Sequence, residues 1–238
     1  MQIAMQNTLK EIAVTLPGST RVFEKFGLDY CCGGAQTLSA ACEKANLAPV
    51  ALLEALEQVQ DLPSVQPDWI TLPLGDLVQH LLDTHHIFTR TELARLEKLM
   101  DKVRGVHGVR HPELVKAEAV LHSLQQDLSQ HLVKEERVLF PYITALEAAL
   151  AAGKPAPVPM FGTVRNPIRM MSLEHDTAGE LLRELRHITN EYALPADACG
   201  SFRALYQGLQ ELEADLHQHI HLENNLLFPR AIALEGGA

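Results

Sequence analysis

The chain has 238 residues, 47% of them hydrophobic, and a formal net charge of −10, so it can bury a sizeable core and its charge argues against a nucleic-acid partner. No stretch approaches 18 uncharged apolar residues, and the N-terminus lacks a basic segment followed by a long apolar run. We therefore expect a cytoplasmic protein without a membrane partner. Leu, Ala, Glu and Gln dominate the composition, which predicts an all-α fold.

Residues 1–66 predict a small helical domain made of short elements. Thr8 and Glu11 have the spacing of a capping box, and Gly27 follows Phe26 as a helix stop. The later elements are helices at 37–45 and about 49–61, and a linker at 62–67.

Two adjacent cysteines, Cys31 and Cys32, precede Gly33-Gly34 in this small domain. The small ring strains a disulfide between neighbours, and the flexible glycines could expose a thiol. The pair is therefore either a thiol site or a packing element. Cys42 and Cys199 are expected to be structural, and the absence of a CxxC pattern favours reduced thiols throughout.

Residues 67–238 predict a second domain, an antiparallel four-helix bundle. Four long amphipathic stretches run roughly over 73–103, 112–150, 166–192 and 198–234. The two halves repeat each other. His131-x3-Glu135 recurs as His219-x3-Glu223, and His175 repeats His86. Two hairpins of one design predict a pseudo-symmetric bundle.

Each helix has an inward stripe, the row of mostly apolar side chains that recur every three or four residues and face the other helices. Six histidines and glutamates lie on these stripes. Val138 continues the stripe of the second helix beyond Glu135, and Leu82 precedes His86 on the first. The residues that follow His85 at the same spacing of three and four form a mostly polar face instead. The candidate ligands are His86, His131, Glu135, His175, His219 and Glu223.

The ligand count fits two metal ions. If both glutamates bridge and each ion takes two histidines, every ion has four protein donors, and an oxide or hydroxide bridge adds a fifth. Imidazole and carboxylate donors without thiolates suit iron or manganese, and iron is our choice. The alternative is a set of core histidines satisfied by the two glutamates.

The remaining histidines are expected at the surface or around the ligands rather than as ligands. They are His80, His85, His107, His111, His122, His187, His217 and His221. Glu136 and Glu174 flank ligands and could hydrogen-bond to them.

At these residues the sequence resembles the Repair of Iron Centers family, which has a hemerythrin-like bundle and an ScdA-type N-terminal domain. The resemblance covers nearly the whole chain. Its segments are DYCCGG from Asp29, HLVKEERVLFP from His131, EHD from Glu174 and HIHLENNLLFP from His219. The family's iron ligands fall on the same six residues, and the resemblance favours a functional role for Cys31 and Cys32.

The resemblance implies two non-haem iron ions and a role in repairing iron–sulfur clusters damaged by nitric oxide or oxidants, through iron delivery. The implied partners are damaged iron–sulfur proteins, with nitric oxide or oxygen as small ligands. The chain could also form a homodimer. The four-His, two-Glu pattern argues against simple oxygen carriage. The alternatives are a di-iron nitric oxide reductase and an oxygen or nitric oxide sensing module.

Overall fold

Helices dominate the computed structural model, which describes residues 3–60 and 67–237. The predicted linker at 62–67 lies outside the described residues except for Pro67. Apart from an isolated antiparallel bridge between Thr8 and Thr37, the described part of the chain contains no β-pairing, so the all-α prediction is confirmed. The short N-terminal helices are α1 (Leu9–Thr15), α2 (Ser19–Lys25), α3 (Leu38–Lys44) and α4 (Pro49–Gln60).

The small domain forms from local signals that the sequence predicts. The Thr8 hydroxyl accepts the Glu11 amide, and the Glu11 carboxylate accepts the Thr8 amide, which completes the capping box of α1. Gly27 has a φ of 65° directly after α2, a backbone that favours glycine. Apolar residues of α1 to α4, among them Ile12 and Phe23, form one buried cluster.

Four long helices follow, and three of them contain a π-helical segment. The first consists of α5 (Leu74–His80), π1 (Leu81–His86) and α6 (Ile87–His107). The second consists of α7 (Glu113–Lys134), π2 (Glu135–Leu139) and α8 (Phe140–Ala151), and the third is α9 (Arg165–Ile188). The fourth consists of α10 (Gly200–Leu222), π3 (Glu223–Leu227) and α11 (Phe228–Gly236). Helix α6 packs against α7 and α10, and α7 packs against α9.

The third helix ends earlier than the sequence predicts. The amphipathic pattern extends it to Tyr192, but Asn190, Glu191 and Tyr192 have φ values of 50°, 58° and 57°. Three successive left-handed residues cannot continue a right-handed helix, so α9 ends at Ile188. None of the described helices combines the length and the apolar content that crossing a bilayer requires.

The core of the bundle is divided into two apolar clusters. One contains Leu93, Leu128 and Leu216, and the other contains Leu81, Met171 and Leu222. On each long helix the candidate ligands lie between residues of the two clusters. The fold therefore surrounds the six polar residues with apolar packing on both sides.

The small domain packs against the fourth long helix through polar contacts. Asn225 Nδ2 donates to the Tyr30 carbonyl oxygen at 3.0 Å, and Glu24 Oε1 lies 2.8 Å from His217 Nδ1. The Tyr30 ring contacts the ring of His221, which is only 3% exposed. A surface position for His221 is thus wrong, because the small domain covers this face of the bundle.

Candidate metal centre

The three π-helical segments coincide with candidate ligands. The segment π1 ends at His86, π2 begins at Glu135 and π3 begins at Glu223. A π segment adds a residue to one turn, and such turns are frequent at functional sites. Here the wider turns lie where side chains from all four long helices converge.

The extra residue changes which side chains face inward within the π segments of the first and second long helices. Val138, which the three-four pattern predicts to be buried, is 46% exposed, whereas its neighbour Leu139 is 1% exposed. In the first helix Leu81 is fully buried and Leu82 only half-buried. The predicted stripe is therefore wrong by one residue within these two π segments, because the pattern assumes an uninterrupted α-helix.

The structure brings all six sequence-predicted ligand residues into two overlapping groups. One group contains His86 and His219, and the other contains His131 and His175, while Glu135 and Glu223 belong to both. Within each group, one donor atom from every residue lies within 4.8 Å of the others. All six side chains are buried. Each group therefore has the size and composition of a binding site for one cation.

The two carboxylates each face both groups. Glu135 Oε1 lies 3.1 Å from His131 Nε2, and its Oε2 lies 3.4 Å from His86 Nε2. Glu223 Oε1 lies 3.1 Å from His219 Nε2, and its Oε2 lies 3.0 Å from His175 Nε2. Each glutamate thus directs one oxygen towards each pair of imidazoles, as a bridging carboxylate would.

Several of these converging atoms approach one another or an imidazole nitrogen at 3.0 to 3.4 Å but have no partner in hydrogen-bonding orientation among the described residues. They are His86 Nε2, both carboxylate oxygens of Glu135, and Glu223 Oε2. A buried polar atom without a partner carries a substantial desolvation cost. Because nitrogen and carboxylate oxygen donors converge without thiolates, the arrangement fits iron or manganese.

The charges of the buried carboxylates also favour a cation. Burial and mutual repulsion oppose ionisation of Glu135, yet the neighbouring imidazoles hold its pKa below the ordinary value. The pKa of Glu223 is lowered for the same reason, with His219 as the main opposing charge. Burial opposes protonation of His131, but Glu135 outweighs it and raises the pKa of His131 to about 10. The pocket therefore attracts positive charge strongly.

Three of the four imidazoles are oriented by a partner on the ring nitrogen that faces away from the centre. His86 Nδ1 lies 2.8 Å from Glu136 Oε1, and His131 Nδ1 lies 2.8 Å from Glu174 Oε2. The predicted roles of Glu136 and Glu174 are confirmed. These contacts leave Nε2 of each ring free for a metal ion and raise its basicity.

The two glutamates in this outer layer are themselves paired with cations near the surface. Arg90 Nη1 donates to Glu136 Oε1 at 2.7 Å, and Lys134 donates to Glu174. The hydrogen bond from His131 lowers the pKa of Glu174 to about 2. Both outer glutamates thus remain ionised and hold the ligand rings in one tautomer.

Asn224 is a partner that the sequence analysis missed. Its Oδ1 accepts from His175 Nδ1 at 3.0 Å, and its Nδ2 donates to the Cys31 carbonyl oxygen at 3.3 Å. The sequence does place Asn224 next to a candidate ligand, since it directly follows Glu223. The Cys31 contact comes from the other domain, however, and no helical periodicity could reveal it.

His219 differs from the other three imidazoles among the candidate ligands. Its Nδ1 is buried without a hydrogen-bond partner in the described part of the chain. Its ring instead stacks on His85, with ring centroids 5.5 Å apart. His85 is 6% exposed, so it lies beside a candidate ligand, which is one of the two positions expected for it, and not at the surface. The π1 segment turns both His85 and His86 inward.

The vicinal cysteines lie near the candidate centre. Cys32 Sγ lies 3.7 Å from the His175 carbonyl oxygen, and the two sulfurs are 3.9 Å apart, as free thiols. Interaction with Cys32, together with burial, raises the pKa of the Cys31 thiol. The structure thus places the pair beside one metal-facing helix, and its role as a thiol site stays a prediction.

The other histidines divide into exposed and buried ones. His122 and His187 are exposed, as expected. His107 is only 4% exposed, which contradicts a surface position. His80 stacks against Trp69 with ring centroids 4.7 Å apart. None of these four belongs to either group around Glu135 and Glu223.

Both parts of the chain match known protein families. Residues 77–231 match the hemerythrin HHE cation binding domain. Residues 5–60 match the ScdA N-terminal domain, a domain of unknown function. The first match contains all six candidate ligands, and the second contains Cys31 and Cys32.

Several curated proteins are similar over almost the whole chain. A probable iron-sulfur cluster repair protein of Haemophilus influenzae is 37% identical, over 95% of this chain and 97% of the relative. The iron-sulfur cluster repair protein YtfE of Musicola paradisiaca is 40% identical, over 95% and 96%. That of Escherichia coli O8 is 38% identical, over 95% and 97%. The similarity thus spans both domains.

Proposed function

The chain belongs to the iron–sulfur cluster repair family with a hemerythrin HHE bundle, and we propose that it restores iron–sulfur clusters damaged by nitric oxide or oxidative stress by delivering iron. In this proposal it is a cytoplasmic protein that holds two non-haem iron ions, bridged by oxide or hydroxide. Its partners are damaged iron–sulfur proteins, with nitric oxide or oxygen as small ligands. The proposed ligands are His86, His131, Glu135, His175, His219 and Glu223.

The observation that carries this proposal is the sharing of both carboxylates between two imidazole pairs. Glu135 and Glu223 each direct one oxygen to each pair, at 3.0 to 3.4 Å from the nearest imidazole nitrogens. A single cation would leave one pair and two carboxylate oxygens unused. Two cations use every converging donor, which supports a dinuclear centre.

The protein's own residues support a centre that can both hold and yield iron. When bound, the two ions would supply redox chemistry and open positions for a diatomic ligand. The chain supplies only nitrogen and oxygen donors, which bind ferrous iron less tightly than thiolates would. The apolar clusters on both sides exclude water from the ligands. Glu136, Glu174 and Asn224 keep three of the imidazoles in position.

The direct test is repair in a purified system. An iron–sulfur enzyme damaged with nitric oxide is incubated with sulfide, a reductant and the iron-loaded full-length protein, and its recovered activity is followed. We expect recovery with the wild type and little with Glu135→Leu. His122→Leu, at an exposed position outside the centre, should match the wild type. Equal recovery with and without the protein would remove the repair role.

The same preparation separates repair from gas reduction. The protein is supplied with excess nitric oxide and an excess of an electron donor, because each nitrous oxide formed consumes two nitric oxide molecules, two electrons and two protons, and nitrous oxide is counted per chain. A single stoichiometric reaction fits repair by iron delivery. Many turnovers would favour the nitric oxide reductase instead.

A further inference from the structure

A second group of metal-ligating side chains lies at the other end of the bundle. Helix α6, 21 residues long, separates His107 from His86, so the group is roughly 30 Å along the helix from the centre described above. His107 is the last residue of α6, and His111 lies in the loop to α7. Asp197 and Cys199 come from the loop before α10. The bundle therefore brings two loops together here.

The donor atoms of this group are close to one another. One atom each of His107, His111 and Asp197 lies within 4.8 Å of the others. His111 Nε2 lies 2.9 Å from Asp197 Oδ1. Cys199 adds a thiol whose sulfur is 3.2 Å from His107 Nε2. Two imidazoles and a carboxylate thus form one cluster, and the thiol of Cys199 is next to it through its contact with His107.

The surroundings of this group are those of a built site. His111 Nδ1 lies 3.0 Å from Glu113 Oε1, which is the arrangement that Glu136 and Glu174 form with ligand imidazoles at the main centre. Arg110 Nη1 lies 3.0 Å from Asp197 Oδ2. The Phe202 ring contacts both imidazoles, with centroids 5.3 and 5.4 Å away. These neighbours fix the orientation of the donors.

An ion pair alone explains only part of this arrangement. A protonated His111 between Asp197 and Glu113 would satisfy both of its ring nitrogens. It leaves His107 unexplained, because that side chain is only 4% exposed and its Nδ1 has no hydrogen-bond partner among the described residues. The ion pair of His111 therefore does not account for the buried imidazole of His107, whose Nε2 has a thiol as its partner.

We propose that His107, His111, Asp197 and Cys199 bind one zinc-class divalent ion that fastens the loop after α6 to the loop before α10. Zinc takes four ligands from Cys, His and Asp in tetrahedral sites. The thiol distinguishes this group from the main centre and favours zinc over manganese.

Cobalt(II) is a suitable probe, because a cobalt–thiolate bond gives a charge-transfer absorption that nitrogen and oxygen ligands do not. The iron-loaded full-length protein is titrated with cobalt, and zinc is then added as a competitor. We expect about one cobalt per chain with a thiolate band that zinc abolishes. Glu113→Ala should weaken cobalt binding about 10- to 100-fold, because Glu113 orients His111.

Cysteine variants locate the band. Cys199→Ser should lose it and remain folded, since Cys199 is exposed and serine is a good residue at the start of a helix. Cys32→Ser is the matched control and should keep the band. The proposal is overturned if the wild type shows no thiolate band or if the band survives in Cys199→Ser. It is also overturned if His111→Asn lowers the Tm but leaves cobalt binding unchanged, because His111 would then have only a structural role.

Discussion

His85 lies parallel to His219, with 5.5 Å between the ring centroids and 15° between the ring planes. His85 Nδ1 in turn lies 3.0 Å from Asp215 Oδ1. His219 is therefore held by stacking, whereas the other three candidate histidines are held by hydrogen bonds at Nδ1. The group of His86 and His219 has one oriented imidazole, and the group of His131 and His175 has two. The two proposed irons should differ in stability.

The first prediction follows from this asymmetry. A chelator added to the two-iron protein should remove iron in two phases of one iron each, with the iron at His86 and His219 leaving first. Glu174→Ala removes the partner of His131 and should accelerate only the slow phase, by about 10- to 100-fold. Glu136→Ala, the matched variant at His86, should accelerate only the fast phase. A single phase that releases both irons would contradict the asymmetry.

The second prediction tests the bridging carboxylates. Glu135→Leu or Glu223→Leu removes a donor from both proposed irons, whereas His86→Leu or His175→Leu removes a donor from one. We expect fewer irons per chain in the glutamate variants than in the histidine variants. All four should stay helical by circular dichroism, because leucine suits a buried position in the bundle. Full loading with two irons in either glutamate variant would exclude bridging.

The third prediction concerns the small domain. A Cβ at Gly34 would lie 2.7 Å from the Tyr30 carbonyl oxygen and 3.1 Å from Lys10 Cβ, which leaves little room for relief. Gly34→Ala should lower the free energy of unfolding by about 1–3 kcal/mol. Gly105→Ala is the control, since its Cβ meets nothing within 4 Å and alanine favours a helix. Denaturation that shows equal stability for the two variants would argue against the close packing at Gly34.

The fourth prediction is a dependence on pH. Glu235 Oε1 accepts from Tyr142 Oη at 2.7 Å and from the Val164 amide at 2.9 Å. Burial opposes its ionisation, but the hydrogen bonds, Thr163 first, hold its pKa below the ordinary 4.5. Because the folded pKa is lowered, the stability that the charge contributes is present above 4.5 and is lost as the pH falls through the folded value.

The variant Glu235→Gln keeps the shape but cannot ionise. We expect it to be less stable than the wild type at pH 7, with the difference shrinking as the pH falls below 4.5. Urea denaturation of both proteins across this range measures the difference. A gap that stays constant down to the acid limit would mean that the charge of Glu235 contributes nothing.

The sequence predicted the candidate ligands because His-x3-Glu keeps both side chains on one face of a helix, whatever follows. It failed at Val138, since the extra residue in the π turn directs Leu139 inward in its place and leaves no mark in the apolar pattern. His221 was misplaced for another reason. Its cover comes from Tyr30 in a different domain, and the periodicity of one helix carries no information about a distant segment.

Asn224 has a consequence for how the two domains communicate. Its amide has one accepting end, on His175, and one donating end, on the small domain at Cys31. A 180° flip of the Asn224 amide would break both hydrogen bonds at once. The tautomer of His175 and the docking of the small domain are therefore coupled. By thermodynamic reciprocity, a ligand that displaces the Cys31 loop loosens the proposed iron at His175, and iron bound there strengthens the seating of the loop by the same free energy.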